Sequence, residues 1–262
     1  MTDGLGVFRG TASWYAKFRR GYPPAVIKVL QQQARLTPSS QVLDLGCGTG
    51  QIALDVAPLV GSVTGVDVDD GMLTEAAAGA ERRGLGNCRW LRSSAEAFPY
   101  ESGIYDLAVI GSAFHWMDRP VVAAKVYESL VPQGVFAVLG NPAPLDQVQR
   151  REGTGKVIAE VQDRWFDAHA RPQGSSPDIR HEDVIAGSPF GKAEVSYHPT
   201  SEEWEVDSLL GFLRSTSLRP DQVLGEKFEA FAEDLRTAIL VVQPGGRWTV
   251  ENRFEVILAH KR

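Results

Sequence analysis

The stretch VLDLGCGTG, Val42 to Gly50, places a hydrophobic strand directly before a turn with glycines at 46, 48 and 50. Glycine lets the backbone pass close to a ligand where a Cβ would collide. A second apolar segment, SVTGVDV, carries Asp67, 21 residues after Gly46. In α/β nucleotide-binding folds, a carboxylate at about this distance accepts hydrogen bonds from ribose hydroxyls. The two segments together predict a site for an adenosine-containing cofactor.

The spacing of the glycines separates two kinds of cofactor. A dinucleotide-binding turn reads GxGxxG, and its third glycine opens the helix under a pyrophosphate. Here the third glycine comes one residue early, and Gln51 holds the place that a dehydrogenase fills with glycine. An acidic residue followed by GxGxG resembles the first motif of the class I S-adenosylmethionine-dependent methyltransferases. The resemblance implies that the loop after Asp44 passes beside the methionine part of that cofactor, and that Asp67 binds its ribose.

Further segments carry the same resemblance over roughly residues 10 to 140. RSSAEAFPY, Arg92 to Tyr100, is similar to the adenine-binding segment, although Ser94 stands where the family usually has Asp. YDLAVIGSAFHWMD, from Tyr105, and SLVPQGVFAVLG, from Ser129, resemble the fourth and fifth strands, and WYAKFRRGYP, from Trp14, resembles the N-terminal lid. The cofactor-binding residues that the resemblance implies are Asp44, Gly46, Gly48, Gly50, Asp67, Val68, Met72, Ser94, Ala95, Glu96 and Gly111.

Strands that alternate with helical segments indicate βαβ units, and therefore a parallel sheet covered on both faces. The first five are expected at Gln41 to Leu45, Ser62 to Val66, Cys88 to Arg92, Leu107 to Ile110 and Val135 to Leu139. With the resemblance, the expected fold is α/β, a Rossmann-like doubly wound sheet of seven mostly parallel strands with an antiparallel last strand, a helical lid and a cap. Residues 1–262 are expected to form one domain, divided into lid (1–36), cofactor-binding half (37–143) and cap with the last two strands (144–262).

The second half of the chain has weaker patterns. A helix is expected over residues 146 to 171, followed by a turn-rich loop from Arg171 to Asp178. Late strands are expected at Lys192 to His198 and Asn252 to His260, with helices from about Val206 and Asp221 between them. The segment Asn141 to Pro144 is expected to be a conformationally restricted loop rather than the nucleic-acid amino methyltransferase motif, because it follows the fifth strand.

The composition indicates which classes of partner and which kind of location to expect for this protein. A net charge of −6 and an acidic pI argue against a sequence-independent grip on nucleic acid, which needs a basic surface. Two cysteines are too few for a disulfide framework or metal cluster. No signal peptide or membrane span is evident, so a soluble, cytoplasmic protein is expected. The expected partner is a small-molecule substrate, with no metal, and the chain is expected to be a monomer or homodimer.

Methyl transfer from a sulfonium needs an in-line approach, exclusion of water, and a base only where the acceptor must lose a proton. His115 follows the fourth strand and, at an ordinary pKa, titrates near neutrality, which makes it the candidate base. The alternative is an imidazole that packs against Trp116 and orders the loop. Tyr15 is the second catalytic candidate, and Trp14, Tyr22 and Trp116 are the substrate-contact candidates. The alternative for the lid is an amphipathic helix whose Arg19 and Arg20 are simply solvated.

The leading hypothesis is an enzyme that moves the methyl group of S-adenosylmethionine to an oxygen or nitrogen of a small, biosynthetic molecule. Two other hypotheses stay open on sequence alone. One is an NAD-dependent Rossmann oxidoreductase with a degenerate glycine turn. The other is a non-catalytic protein that keeps the cofactor site as a scaffold.

Overall fold

A computed structural model describes residues 8–140, 153–166, 179–218 and 220–262. Its centre is a seven-stranded sheet with the order β3-β2-β1-β4-β5-β7-β6. The strands are β1 (Gln41–Leu45), β2 (Ser62–Asp67), β3 (Cys88–Arg92), β4 (Tyr105–Gly111), β5 (Leu130–Gly140), β6 (Glu194–Glu205) and β7 (Arg247–His260).

The first five strands pair in parallel, which confirms the expected βαβ architecture. β7 inserts between β5 and β6 and runs antiparallel to both. The carboxyl ends of β1, β2 and β4 lie side by side, because these strands are neighbours and run in one direction. Ligands in open parallel sheets bind at such ends, where the strand order reverses. The fold therefore brings the loops after residues 45, 67 and 111 to one edge.

Helices cover both faces of the sheet. The helices are α1 (Ala12–Phe18), α2 (Pro24–Gln33), α3 (Gln51–Val56), α4 (Asp70–Arg82), α5 (Arg119–Ser129), α6 (Gly153–Trp165), α7 (His181–Ala186), α8 (Val206–Arg214), α9 (Pro220–Leu224) and α10 (Phe228–Val242). Along β1, Val42 packs with α2 and α3, whereas Leu43 and Leu45 pack on the opposite face with α5 and α7. This alternation is the period-2 burial of a strand enclosed on both sides.

The cap has a hydrophobic cluster of its own. Apolar side chains of α6, α8 and α10 pack together with Trp204 of β6 and Val250 of β7. The strands β6 and β7 stay paired over twelve register positions, so the hairpin extends from the sheet edge into the cap. The division into lid, cofactor-binding half and cap remains a prediction.

The sequence predicts the strand positions well, but the bounds of β2 and β4 differ by one or two residues at an end and those of β5, β6 and β7 by more. β5 begins at Leu130 rather than Val135, β7 begins at Arg247 rather than Asn252, and β6 runs to Glu205 rather than His198. In β6 and β7 the additional portions alternate exposed residues with buried or partly buried ones, and in β5 the additional portion contains exposed Pro132 and Gln133, so each lacks the apolar run that indicates the rest. The predicted helix over 146 to 171 is observed as α6 within the described residues. The loops predicted at 141–144 and 171–178 lie outside the described residues.

Candidate cofactor and methyl-transfer site

The glycine bend joins β1 to α3 and is anchored to the end of β2. The backbone N–H groups of Gly46 and Cys47 both donate to the carbonyl of Val66, at 2.8 and 3.0 Å. Gly46, Gly48 and Gly50 have φ values of +66°, +53° and +80°, a region that L-residues with a Cβ enter at a cost. Glycine at these three positions therefore allows the backbone to form the bend without that cost.

The three glycines have three different neighbours. A Cβ on Gly46 would lie 2.7 Å from the Cβ of Ala113, and one on Gly50 would lie 2.9 Å from Cη2 of Trp90. On Gly48 a Cβ would meet only the Tyr15 ring, at 3.8 Å. Ligand contact by the backbone of all three glycines stays a prediction. Gly46 and Gly50 are required by packing within the protein, whereas Gly48 leaves its side open beneath the lid.

Asp67 at the end of β2 is tied to the bend. Its Oδ2 accepts from the N–H of Gly48 at 2.9 Å, and its Oδ1 accepts from the N–H of Asp69 at 3.0 Å. Burial raises the pKa of the Asp67 carboxyl, while these backbone donors oppose the rise. Asp69 caps α4 by accepting from the N–H of Met72 at 3.0 Å. Val68 is half-buried and Met72 buried, so the strand end forms an apolar floor beside one carboxylate.

Asp44 is buried directly under the bend. Its Oδ2 accepts from the N–H of Ala53 at 3.1 Å, and its Oδ1 has no hydrogen-bond partner in the part of the chain described. Burial raises the pKa of this carboxyl to about 7, and the charge on Asp67 adds to the rise. A buried acceptor left without a donor costs free energy, which a hydrogen-bonding or cationic ligand group would recover.

A cavity of about 30 Å³ lies between the lid and the bend. Tyr22 closes one side of it. The Tyr22 ring packs against Phe254 with centroids 5.6 Å apart, and its hydroxyl bonds with Ser112 beside Gly111. Burial raises the pKa of that hydroxyl well above its usual range. The residues that line the cavity are Tyr15, Arg19, Arg20, Tyr22, Asp44, Gly46, Cys47, Gln51, Ile52, Gly111 and Ser112.

The segment after β3 lies against the loop after β4. Ser94 Oγ accepts from the N–H of Ala97 at 3.2 Å, and Ala95 is buried in the core. Glu96 Oε1 accepts from the N–H of Asp118 at 2.8 Å. Ala95 can therefore offer a ligand little beyond its backbone, while Glu96 joins the two loops. Adenine binding by Ser94, Ala95 and Glu96 stays a prediction.

The loop after β4 forms a short 3₁₀ helix, Phe114–Trp116. Phe114 is buried in the core, and the rings of His115 and Trp116 lie 4.8 Å apart. The pKa of His115 is lowered to about 4, chiefly by burial and further by His181 and Arg119. The expectation that His115 titrates near neutrality is therefore wrong: at pH 7 it is neutral but weakly basic.

The lid is held to the cap by arginine–aromatic contacts. Arg19 lies between the rings of Tyr15 and Phe212, at 4.9 and 4.5 Å, and its Nε donates to Ser215 Oγ at 2.9 Å. These contacts give Arg19 a defined place against the cap, which the solvated-helix alternative does not predict. Tyr15 also contacts Phe8, with ring centroids 6.4 Å apart. The Tyr15 ring lies over Gly48.

Two substrate-contact candidates have different surroundings. Trp14 stacks on Phe18 at 5.5 Å and lies under the guanidinium of Arg214 at 4.3 Å, so it belongs to the lid–cap interface. Trp116 contacts Phe8 at 6.1 Å and so lies where the lid meets the loop after β4. Substrate contact by Trp14, Tyr22 and Trp116 stays a prediction, and the described contacts favour Tyr22 and Trp116 over Trp14.

Sequence reasoning missed several residues of the site. Gln51 and Ile52 line the cavity because they begin α3 directly after the bend, which the motif position could have revealed. Arg119 and His181 surround His115 from α5 and α7. No sequence signal links His181 to His115, because 65 intervening residues separate them and only the fold brings them together.

The sheet order, with the glycine bend after β1 and an acid at the end of β2, is that of the class I S-adenosylmethionine-dependent methyltransferase fold. Residues 42–134 match a family model described as a methyltransferase domain. The match favours the methyltransferase over the oxidoreductase hypothesis.

Individual relatives agree with this class. The chain is 35% identical over 142 residues to trans-aconitate 2-methyltransferase of Deinococcus radiodurans, covering 53% of each chain. It is 31% identical over 160 residues to nocamycin O-methyltransferase of Saccharothrix syringae, covering 59% of this chain and 55% of the relative. The match thus spans about half the length of these curated relatives. The YcgJ structure from Bacillus subtilis aligns with 91% of this chain and 98% of its own, with a TM-score of 0.56 and 18% identity, a likeness of fold alone.

Among the described residues, no helix has both the length and the apolar character needed to cross a membrane. Within the same ranges, no group of three or more His, Cys, Asp and Glu side chains could hold a metal ion.

Proposed function

We propose that this protein transfers the methyl group of S-adenosylmethionine to an oxygen or nitrogen of a small molecule by in-line displacement. The observation that carries the proposal is the coupling of Gly48 to Asp67 beside the orphaned Oδ1 of Asp44. The open backbone position at Gly48, the carboxylate of Asp67 and the buried, unpaired Oδ1 of Asp44 therefore lie together under the lid.

The residues fit this cofactor. Each oxygen of Asp67 accepts one backbone N–H and keeps lone pairs for ribose hydroxyls. An amino-acid zwitterion needs an acid for its ammonium and a cation for its carboxylate, and Asp44 lines one cavity with Arg19 and Arg20. When bound, the cofactor supplies an activated methyl group on a positively charged sulfur. The chain's own residues then have to orient the acceptor and exclude water.

The lid supplies the exclusion of water. Tyr15 covers Gly48, and Arg19 holds Tyr15 to the cap through Phe212. A cavity of about 30 Å³ is far below the roughly 300 Å³ or more of a ligand pocket, so we expect the lid to move when the cofactor enters. The lid is therefore the gate of this site.

His115 limits the acceptor chemistry. With a pKa lowered to about 4, it is a weak general base at neutral pH. It therefore suits an acceptor whose attacking atom already lacks its proton, such as a carboxylate or a neutral amine. The names of the two relatives, a trans-aconitate methyltransferase and an O-methyltransferase, support a small acceptor and oxygen as one candidate atom. The net charge of −6 supports a small-molecule partner over nucleic acid.

The direct experiment uses methyl-labelled cofactor and panels of small carboxylic acids, phenols and amines, with mass spectrometry of the products. We expect a labelled product from one panel with the wild-type protein. Asp67→Asn should strongly reduce the amount of product at limiting cofactor, because the substitution removes the charge that the ribose hydroxyls contact. The control is Asp70→Asn, an exposed acid three residues away that pairs with Arg92 at 2.7 Å, and it should keep full activity. Failure to bind S-adenosylhomocysteine together with no labelled product would refute the proposal.

A further inference from the structure

The β6–β7 hairpin extends beyond the rest of the sheet on the side of the cofactor site. Gly140, the last residue of β5, pairs with Glu255 of β7, which pairs in turn with Tyr197 of β6. Residues 198–205 of β6 and 247–254 of β7 therefore lie past the carboxyl end of β5, where they pair with each other. The loops of the cofactor site leave the sheet at this same edge. This part of the hairpin therefore rises beside the site.

One face of this extension is turned inward. Paired residues of antiparallel strands share a face, and successive residues alternate between the two faces. In β6 the residues of odd number from 195 to 205 are exposed, while those of even number from 196 to 204 are half-buried or buried. On the inward face of β7, Asn252 is buried between Phe254 in the sheet core and Val250 in the cap cluster. Its register partner is Thr200, so these two polar side chains lie opposite each other where sheet and cap meet.

The hydroxyl of Thr200 is the unsatisfied group on this face. Its Oγ1 is buried and has no hydrogen-bond partner in the described parts of the chain. The neighbouring polar groups of β6 are satisfied, since Ser196 Oγ lies 3.1 Å from Nε2 of His198, and Glu202 Oε2 accepts from Nε1 of Trp204 at 3.1 Å. A buried hydroxyl without a partner costs free energy, which a hydrogen-bonding ligand atom would recover.

Two residues of the lid connect this face to the cavity beside the glycine bend. Tyr22 packs against Phe254 with ring centroids 5.6 Å apart, and the guanidinium of Arg20 lies 4.6 Å from the ring of Trp204. Both Tyr22 and Arg20 line the cavity. They contact the hairpin on either side of Thr200, so the lid movement expected on cofactor entry would open the Thr200 hydroxyl to the cavity.

The surroundings of Thr200 favour an uncharged ligand oxygen. Arg20 is already engaged, because its Nε lies 3.7 Å from Glu202 and its Nη2 donates to the carbonyl of Glu203. The side chains on either side of Asn252 are apolar. An anion placed here would lose its hydration without gaining the free guanidinium that would compensate it. A threonine hydroxyl both donates and accepts, so it suits a hydroxyl or a carbonyl oxygen.

We propose that Thr200 is a specificity-determining residue, whose Oγ1 hydrogen-bonds an uncharged hydroxyl or carbonyl oxygen of an otherwise apolar methyl acceptor. This oxygen is separate from the atom that takes the methyl group. The inference rests on the proposed function and narrows its substrate class, because it disfavours acceptors that carry several negative charges.

Thr200→Val tests the role, because it removes the hydroxyl and keeps the branched shape. We expect wild-type or higher stability in urea denaturation, since the hydroxyl lost has no partner, and unchanged binding of S-adenosylhomocysteine. Thr200→Ser keeps the hydroxyl and should behave as wild type. Thr249→Val is the control, because Thr249 is exposed on the outer face of the same hairpin. A marked loss of stability in Thr200→Val alone would show that the hydroxyl is bonded within the protein, and would overturn the inference.

Benzyl alcohol and ethylbenzene are the matched probes, because they differ by a hydroxyl in place of a methyl group. In saturation-transfer NMR with S-adenosylhomocysteine present, wild type, Thr200→Ser and Thr249→Val should bind benzyl alcohol more tightly than ethylbenzene. Thr200→Val should weaken benzyl alcohol binding by about fivefold, the size of one neutral hydrogen bond, and should not weaken ethylbenzene binding. Equal binding of the two probes by the wild type, or undiminished benzyl alcohol binding by Thr200→Val, would overturn the inference. Binding of the trianion tricarballylate that Thr200→Val weakens would also overturn it.

Turnover gives a second readout for any acceptor that yields labelled product. Thr200→Val should raise KM for that acceptor and leave KM for S-adenosylmethionine unchanged. An equal rise in both constants indicates a structural role and contradicts the inference. Failure of the proposed function is distinguishable, because S-adenosylhomocysteine would then bind to none of the proteins, the wild type included.

Discussion

Gly48 faces Tyr15 across the gap between the glycine bend and the lid: a Cβ on Gly48 would lie 3.8 Å from Cε1 of the tyrosine ring. Among the described residues, no other protein atom would come closer to that Cβ outside the adjoining residues. The gap between bend and lid is therefore where a ligand can lie against the backbone.

Gly48→Ala should weaken S-adenosylhomocysteine binding by about tenfold or more, because the methyl group occupies the side of the bend left open to the ligand. The residue has φ +53°, so the change also costs about 1–2 kcal/mol of stability. Gly84→Ala is the matched control, since Gly84 has φ +66° and nothing within 4 Å of its Cβ position. Urea denaturation should find similar destabilisation in both variants. Calorimetric titration with S-adenosylhomocysteine should find lost affinity only in Gly48→Ala. Equal affinities would contradict the prediction.

Gly65→Ala should destabilise the fold by about 1–3 kcal/mol, because its Cβ would lie 2.4 Å from Cζ3 of Trp90. The indole is rigid and half-buried, and Cys47 Sγ at 3.1 Å leaves little room on the other side. Urea denaturation measures the change. Gly65→Ala combined with Trp90→Leu should be less destabilised than the sum of the single variants. Additive effects would show that the clash with the indole does not cause the destabilisation.

Asp44 should make stability depend on pH between about 4 and 7. Its folded pKa of about 7 lies above the ordinary 3.8, so the folded state binds the proton more tightly than the unfolded state. The free energy of unfolding contributed by this group therefore falls as the pH rises through that window, by about 1.4 kcal/mol for each pH unit. Asp44→Asn should gain stability relative to wild type from pH 5 to pH 7.5 in urea denaturation. Exposed Asp70→Asn should not, and an unchanged difference for Asp44→Asn would count against the buried charge.

Gly211→Ala should loosen the lid without touching the cleft. Its Cβ would lie 2.3 Å from Cγ of Phe18, so Phe18 and the stacked Trp14 have to leave α8. Alanine is the better helix former by about 1 kcal/mol, so α8 itself is not weakened. We expect faster S-adenosylhomocysteine dissociation in stopped flow and faster tryptic cleavage after Arg19 and Arg20. Gly86→Ala, whose Cβ meets nothing within 4 Å, is the control. Wild-type rates in Gly211→Ala would mean that the lid is held elsewhere.

The sequence predicted the parts of this fold that are local. Apolar runs and period-2 alternation located the strands of the described sheet, and the bounds of β1 and β3 agree with the expectation. Asp67 lies at the end of β2 and contacts the bend, because a strand and the turn beside it are adjacent by topology. The polar ends of β6 and β7 were missed, since their pattern depends on burial by the cap.

Contacts between distant segments could not be predicted in this way. Gly50 and Gly65 both pack against the indole of Trp90, where a Cβ would clash. These contacts exist only in the packed sheet and leave no pattern in the sequence. The low pKa of His115 is caused chiefly by burial and further by His181 and Arg119, which lie on two other helices. The arginine contacts of the lid likewise depend on the position of α8, which no motif fixes.

A paired calorimetric titration with S-adenosylhomocysteine and with NADH tests the cofactor assignment most directly. We predict that the wild-type protein binds S-adenosylhomocysteine at one site and ignores NADH, and that Asp67→Asn loses about tenfold or more of the affinity. Binding of NADH alone, or undiminished binding of S-adenosylhomocysteine by Asp67→Asn, would contradict the account.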